Sequence, residues 1–502
     1  MPTEVLLDGW HLDFYDMRKP FADVSSIGVD VDPLRLARAN GAKTGTPIFV
    51  GPDGRADPRI NRFWREPGIR TLKPDTKSRY AHSLRTWLNF LTQHQTAWHQ
   101  ATATTLDDFK DWRLTDEDAP AHVSANTFRA DLAALRKFYA WAEEELGYPS
   151  PVKTRLPRFD GEDVEALAVT PKGVRRRDVK WLTPDAYRLW RDIGLCGFAG
   201  DGQQRLDWNG LNEDRDRAYA DGLYDTGLRR TELASLLVSD VPSPTRRVLT
   251  REQLAAACAK LNRGRPYWVP ARSARQLRSY IREGSRPRAV RRAQEAGRYA
   301  DLSELWIVRD ESRSGFLIAS APDGSTRRLS LDATGPDLRK RLYRETEFGL
   351  EPLWLWLNSN GLPRSPKAWN RTFTAANARV ARALPGGPGE LFARQHMLRH
   401  SFALRWYTIA TYVAWQRSAG LSQAEQRDLR DQIGDVWFLL ASLLGHRSPQ
   451  TTRDYYLEPF QELQVDHLMT LMESHEREAL ERLVDAAVAS EPRVLSSPKV
   501  DW

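Results

Sequence analysis

The chain has 502 residues, 41% of them hydrophobic and 28% charged, with only two cysteines, Cys196 and Cys258. That length and composition suit two to four globular domains and exclude collagen-like, wholly disordered and disulfide-framework classes. The net charge of +8 permits a polyanionic partner without establishing one.

In chain order, the opening MPTEVLLDGWHLDFYDM is acidic and lacks the basic start and apolar run of a secretory signal, so a reducing cytoplasm is expected. No stretch is apolar enough to span a bilayer, and no membrane partner is expected. Residues 1–68 read as an N-terminal arm or appendage, with a short helix at VDPLRLARANG and a strand and turn at GTPIFVGPDGRADPR. Residues 69–151 read as helical. Tyr80, Leu84, Trp87, Leu88 and Leu91 share one helical face, as do Phe128, Leu132, Leu135, Phe138, Tyr139 and Trp141. Thr105 marks the start of a short helix between them. The aromatics are expected in a core, and Lys77, Arg79, Arg85, Arg129 and Arg136 are expected to be exposed.

Residues 152–178 form a basic linker that includes Arg175, Arg176 and Arg177. A helix follows with Thr183 as N-cap and Pro184 in its first position. Residues 179–487 are then mostly helical. RPYWVPA has strand composition, and GFLIASAPDGSTRRLSLD reads as two strands around a turn at Pro322-Asp323-Gly324. TREQLAAACAK reads as helix as much as strand. Residues 488–502 read as a tail.

Three segments carry chemistry. TGLRRTELASLL (Thr226 to Leu237) places Arg229 and Glu232 three apart, with Arg230 turned about 100° away on a helix. HMLRHSF (His396 to Phe402) places His396, Arg399 and His400 on one helical face. LLGHRSPQTTRDYY (Leu443 to Tyr456) stops a helix at Gly445, starts another at Ser448-Pro449 and ends in Tyr455 and Tyr456, of which only one can reach a given point. Arginines donate paired hydrogen bonds to phosphate and stay protonated as charge builds. A phenol, with a free pKa of about 10, needs a base or a cationic field to attack. Arginines, histidines and a phenol are the groups that cleave a phosphodiester without a metal.

In order and spacing these segments resemble the tyrosine recombinase, or phage integrase, family. The resemblance implies a mainly α fold with a small β-sheet: an N-terminal arm, a helical SAM-like core-binding domain and a catalytic domain, closing as a C-shaped clamp on DNA. By that match Arg229 and Arg399 clamp the phosphate, His396 and His446 support them, and Tyr455, nine residues after His446, is the nucleophile. The family's general-acid lysine on a β-hairpin falls on Lys260, with Arg263 or Arg265 as stand-ins, and His400 is a structural partner. Lys77, Arg79, Arg85, Arg129, Arg136 and Arg175 to Arg177 become candidate DNA contacts.

The implied activity is site-specific DNA breakage and rejoining through a 3′-phosphotyrosine, with no cofactor. Double-stranded DNA is the partner, with a homo-tetramer on two duplexes and accessory DNA-bending or directionality proteins. The implied setting is a bacterial or phage-encoded protein at the nucleoid. A type IB topoisomerase, a non-catalytic DNA-binding protein and a metal-dependent nuclease are the alternatives. The chain departs from the compact pattern in two places: long segments separate Lys260 from His396 and Arg399 from His446, the second containing SAGLSQAEQRDLRDQIGD, which reads as an added helix.

Overall fold

The computed structural model describes residues 8–17, 32–117, 121–155, 179–243, 247–312, 315–385, 391–418, 436–446 and 448–453, with short pieces of the linker and of the C-terminal tail. The fold is mainly α with small sheets, and it divides into two compact units, Met1–Arg176 and Arg177–Trp502.

The first unit opens with β1 (His11–Phe14), which pairs antiparallel with β2 (Pro47–Val50). Helices α1 (Pro33–Ala39) and α2 (Pro58–Phe63) both start on an Asp-Pro step. The carboxylates of Asp32 and Asp57 accept the first N–H groups, and proline fills the position that has no need of one. Helices α3 (Pro74–Gln93), α4 (Ala103–Leu114) and α5 (Ala125–Leu146) follow. Thr102 rather than Thr105 opens α4; Thr105 stands three residues in and closes a capping box with it.

One core runs through this unit. Leu84, Trp87, Leu88 and Leu91 of α3 meet Phe128, Leu132, Leu135, Phe138, Tyr139 and Trp141 of α5, with Tyr80 half-buried at the rim. Phe49, Ile60, Phe63 and Trp64 lie in the same core, so the described part of the N-terminal segment packs with the helices. The Trp87 indole donates to Tyr139, and the Tyr139 hydroxyl donates to the Trp98 carbonyl at 2.7 Å, which satisfies the buried polar tips.

One expectation is corrected here. Lys77 is not an exposed basic residue: it is 6% exposed, and its ammonium donates to the Arg70 carbonyl at 3.1 Å. Burial, and after it the nearby charge of Lys43, lowers its pKa. Arg79, Arg129 and Arg136 are exposed and Arg85 is half-buried. Arg175, Arg176 and Arg177 lie outside the described residues.

The second unit opens with α6 (Pro184–Cys196), capped by the Thr183 hydroxyl with Pro184 first, and ended by Gly197 in the left-handed region. Then come α7 (Glu213–Thr226) and the short α8 (Arg230–Ala234). A two-stranded hairpin follows, β3 (Leu249–Leu254) with β4 (Arg265–Pro270), Leu249 opposite Pro270. The TREQL stretch is thus strand. Alternating burial along β4 fixes the register, with Arg265, Tyr267 and Val269 turned inward.

After α9 (Ala271–Arg282) and α10 (Ser285–Glu295) comes a five-stranded sheet. Its strands are β5 (Trp306–Ser312), β6 (Phe316–Ser320), β7 (Thr326–Ser330), β8 (Leu342–Thr346) and β9 (Gly349–Pro352), in the order β7-β6-β5-β8-β9. Only β5 and β8 run parallel. The β6–β7 turn has Gly324 at φ +80°, which accounts for the Pro-Asp-Gly signal. Helices α11 (Trp369–Ala383), α12 (Gln395–Ser418) and α13 (Val436–Leu444) follow. The core of this unit gathers Trp190, Tyr219, Trp354, Trp356 and Trp369, with Tyr219 stacked on Trp369 at 3.6 Å. The segment read as an added helix between α12 and α13 lies outside the described residues.

Candidate active site

Arg229 stands at the end of the loop that enters α8, not within the helix. Its extended backbone makes it the N-cap, and Glu232 reaches back to accept its N–H at 2.9 Å and its guanidinium at 2.9 Å. The pairing expected from a shared helical face therefore arises from capping. Arg230 begins the helix and turns away, donating to the Asn370 side chain.

Glu232 is fully buried. Such a carboxylate is costly unless paired. It receives a second guanidinium: Arg265 of β4 donates to both of its oxygens, at 3.1 and 2.7 Å. Burial pushes the Glu232 pKa up, but the hydrogen bonds and charge of Arg265, with the charges of Arg229 and Arg399, outweigh it and hold the group at about 2.

Arg399 lies in the second turn of α12 and is 2% exposed. Its guanidinium donates to the carbonyl of Gly227, where α7 ends, and to that of Leu444, where α13 ends. One side chain thus caps the carbonyl ends of two helices. Gly227 and Gly445 follow those ends at φ +63° and +64°, the left-handed geometry that closes a helix.

The turn after Gly445 brings His446 to Arg399, with Nε2 3.5 Å from the guanidinium and Nδ1 2.9 Å from the hydroxyl of buried Thr452. Burial, then the charges of Arg399, Arg229, Arg265 and Lys260, press the imidazole pKa down to about 3. His446 is therefore neutral near pH 7. Ser448 caps the next helix, accepting from the Thr451 N–H.

His396 is exposed in the first turn of α12, and its ring meets that of buried His400 edge-on at 4.5 Å. Lys260 is exposed in the loop between β3 and β4, and its backbone N–H lies 3.5 Å from Glu232. Leu261 and Asn262, next in that loop, both have positive φ. Tyr455 and Tyr456 lie outside the described residues.

The fold thus gathers Arg229, Arg265, Arg399 and His446, drawn from a loop, a strand, a helix and a turn, around one buried carboxylate. The set can hold an anion that gains charge in a reaction. Arg265 is the member that spacing understated. Its inward place in alternating β4 was the available signal, and the ambiguous β3 segment hid the register.

A second feature escaped the sequence reading. Residues 271–298, spanning α9 and α10, carry nine arginines against two glutamates in a chain of net charge +8. The side chains of Arg275, Arg288 and Arg291 are exposed and have no acidic partner among the described residues. Buried Arg286 is instead structural, donating to Glu351 and to the Pro352 carbonyl.

Residues 61–145 match the family model of the phage integrase N-terminal SAM-like domain. No curated protein matches the chain. Among solved structures, XerH site-specific recombinase bound to palindromic difH substrate in a post-cleavage complex is 13% identical, with TM-score 0.44, over 79% of this chain and 80% of that one. XerA recombinase is 13% identical, with TM-score 0.29, over 82% and 97%. The Tn1549 transposon integrase in complex with transposon right end DNA is 13% identical, with TM-score 0.40, over 79% and 93%. The resemblance to phage integrases is thus carried by a domain model that covers residues 61–145 as well as by the three boxes.

Proposed function

We propose that this chain, which carries a phage-integrase SAM-like domain at residues 61–145, is a site-specific DNA recombinase that cuts and rejoins strands through Tyr455. The observation that carries the reading is the convergence of Arg229, Arg399 and His446, read from three separate boxes, within one cationic cluster. Arg229 and Arg399 hold the scissile phosphate, and His446 donates to a non-bridging oxygen. The Tyr455 phenolate attacks phosphorus, and the 5′ oxygen leaves with a proton from Lys260. His396, at the exposed start of α12, completes the phosphate contacts. A 5′ hydroxyl of a partner strand then attacks the 3′-phosphotyrosine and frees Tyr455. Phosphoester count is conserved at each step, so the chemistry draws on no nucleotide hydrolysis.

Duplex DNA is the partner this reading requires. The SAM-like domain supports it, and so does the concentration of arginine in residues 271–298, since polyanion binding draws on clustered guanidinium groups. Arg79, Arg85, Arg129 and Arg136 belong to the same proposal, as do Arg175 to Arg177, four protomers on two duplexes and a place at the nucleoid. Among the described residues, no helix is long and apolar enough to cross a membrane.

The test is covalent trapping in EDTA on a nicked suicide duplex. The expected result is an SDS-resistant protein–DNA band whose modified peptide contains Tyr455, lost in Tyr455→Phe while duplex binding persists. Relaxation of a supercoiled plasmid without strand exchange would move the assignment to a topoisomerase. Absence of the band on DNA that the protein binds would leave a binding protein.

A further inference from the structure

Glu232 already has one guanidinium partner, Arg229, supplied by its own helix cap. The second, Arg265, comes from the hairpin 33 residues later and spends both terminal nitrogens on the same carboxylate. It is 8% exposed, and its Nε–H has no acceptor among the described residues. A buried donor left unpaired is a cost that packing alone would not retain.

The Arg265 side chain also lies flat against Gly445. A Cβ at that glycine would overlap its Cδ. The guanidinium is thus wedged between the carboxylate of the first box and the turn that presents His446. The same carboxylate faces the Lys260 backbone N–H, so the hairpin loop is fixed to the same point.

Charge gives the arrangement a consequence. With Arg229 and Arg399 alone, one anionic Glu232 would cancel half of the positive charge and compete with phosphate for Arg229. Arg265 neutralises the carboxylate from behind, which leaves Arg229 and Arg399 to face an anion. We infer that Arg265 is a positioning residue of this centre: it holds Glu232 ionised, sets Arg229, and braces the Gly445–His446 turn. The inference rests on the proposed phosphodiester chemistry.

The test compares wild type, Arg265→Lys and Arg265→Met in single-turnover covalent attachment to a nicked duplex in EDTA, with duplex affinity and melting temperature measured in parallel. Arg265→Met should slow attachment at least tenfold while duplex affinity stays within twofold. Arg265→Lys keeps the charge and should recover much of the rate. The His446 imidazole, followed by its nitrogen-15 shift, should titrate at higher pH in the Met variant, because it loses a neighbouring cation; a purely structural role would not shift it. Should Arg265→Met not fold, Arg265→Gln, which also removes the charge, decides by the same rate and titration readouts. Unchanged attachment and an unchanged His446 titration in a folded Met or Gln variant would overturn the inference and leave the proposed function standing. Failure of wild type to attach to DNA it binds would instead overturn the proposed function, and the Arg265 role with it.

Discussion

At the residue scale, the centre depends on two groups whose protonation the fold has shifted. His446 titrates near 3 in the folded chain and near 6.5 when exposed. Its folded pKa is depressed, so the stability it contributes is complete above about pH 6.5 and is lost as pH falls toward 3. Glu232, held at about 2, adds a second window, complete above about 4.5 and lost as pH falls toward 2. Urea midpoints should therefore fall below pH 6, and His446→Gln should flatten the upper part of that fall. Desolvation is the largest cause that keeps His446 neutral, with the neighbouring cations next. A bound phosphodiester offsets the charges of Arg399, Arg229, Arg265 and Lys260, so duplex binding should raise the imidazole pKa. Carbon-13 or nitrogen-15 spectra of His446 with and without duplex would register the shift. An unmoved pKa in the bound form would mean that no phosphate sits beside the ring.

Arg399 illustrates how a residue can be found for its chemistry while its structural work stays hidden. Its place after His396 was readable as a phosphate ligand. Its hydrogen bonds to Gly227 and Leu444 depend on two helix ends that meet only in the fold. Arg399→Ala should thus lose more than cleavage. Two buried carbonyls lose their donor, at roughly 1–3 kcal/mol each. Thermal melting beside the attachment assay would show both losses, and a drop in attachment at unchanged melting temperature would assign Arg399 to chemistry alone.

At the element scale, the site is assembled by terminations. α7 ends at Gly227, α13 ends at Gly445 and α8 begins at Arg229, so three helix ends converge. A Cβ at Gly227 would overlap the Phe402 ring, and one at Gly445 would overlap Arg265. Both positions also have positive φ, where a side chain is strained. Gly445→Ala should cost about 1–3 kcal/mol through overpacking and should displace His446, slowing attachment. Gly227→Ala should cost a similar amount with its strain on the Phe402 ring. A crystal structure or melting curve of the Gly445 variant that matched wild type would show that the contact relaxes without cost.

Gly445 was legible as a helix stop because Gly after an apolar run is a local signal, whereas Gly227, after Asp225-Thr226, read as the start of the first box rather than as the end of α7. The Thr183 cap and the β6–β7 turn were legible for the same reason: each is decided within a few residues. Lys77 was not. Its neighbours in sequence are charged and polar, and its tie to the Arg70 carbonyl exists only in the fold. The β3 strand was ambiguous because Leu249–Leu254 has no β-branched pattern and gains its identity from pairing with β4. Arg265 combined both difficulties, since an inward-facing arginine becomes intelligible only when the carboxylate it meets is known.

At the scale of the whole molecule, the first unit makes the sharpest departure from a linear reading. Residues 1–68 read as an N-terminal arm or small appendage, punctuated by proline and glycine. Yet Phe49, Ile60, Phe63 and Trp64 are each almost fully buried in the core made by α3 and α5. Phe63 meets Phe138 edge-on at 5.2 Å, and Asn61 binds the Phe49 backbone through both an accepted and a donated hydrogen bond. Long-range packing of this kind leaves no local periodicity to read. It has an energetic consequence. Loss of one buried aromatic commonly costs about 3–5 kcal/mol, against a total stability of about 5–15 kcal/mol for a domain. A fragment of residues 1–176 should unfold in a single cooperative urea transition. A fragment of residues 69–176, which lacks all four side chains and strands β1 and β2, should not. Circular dichroism with urea titration of the two fragments distinguishes the cases. Equal midpoints would restore the N-terminal segment to an appendage, and a folded long fragment beside an unfolded short one would make it part of the domain that the integrase model begins only at residue 61.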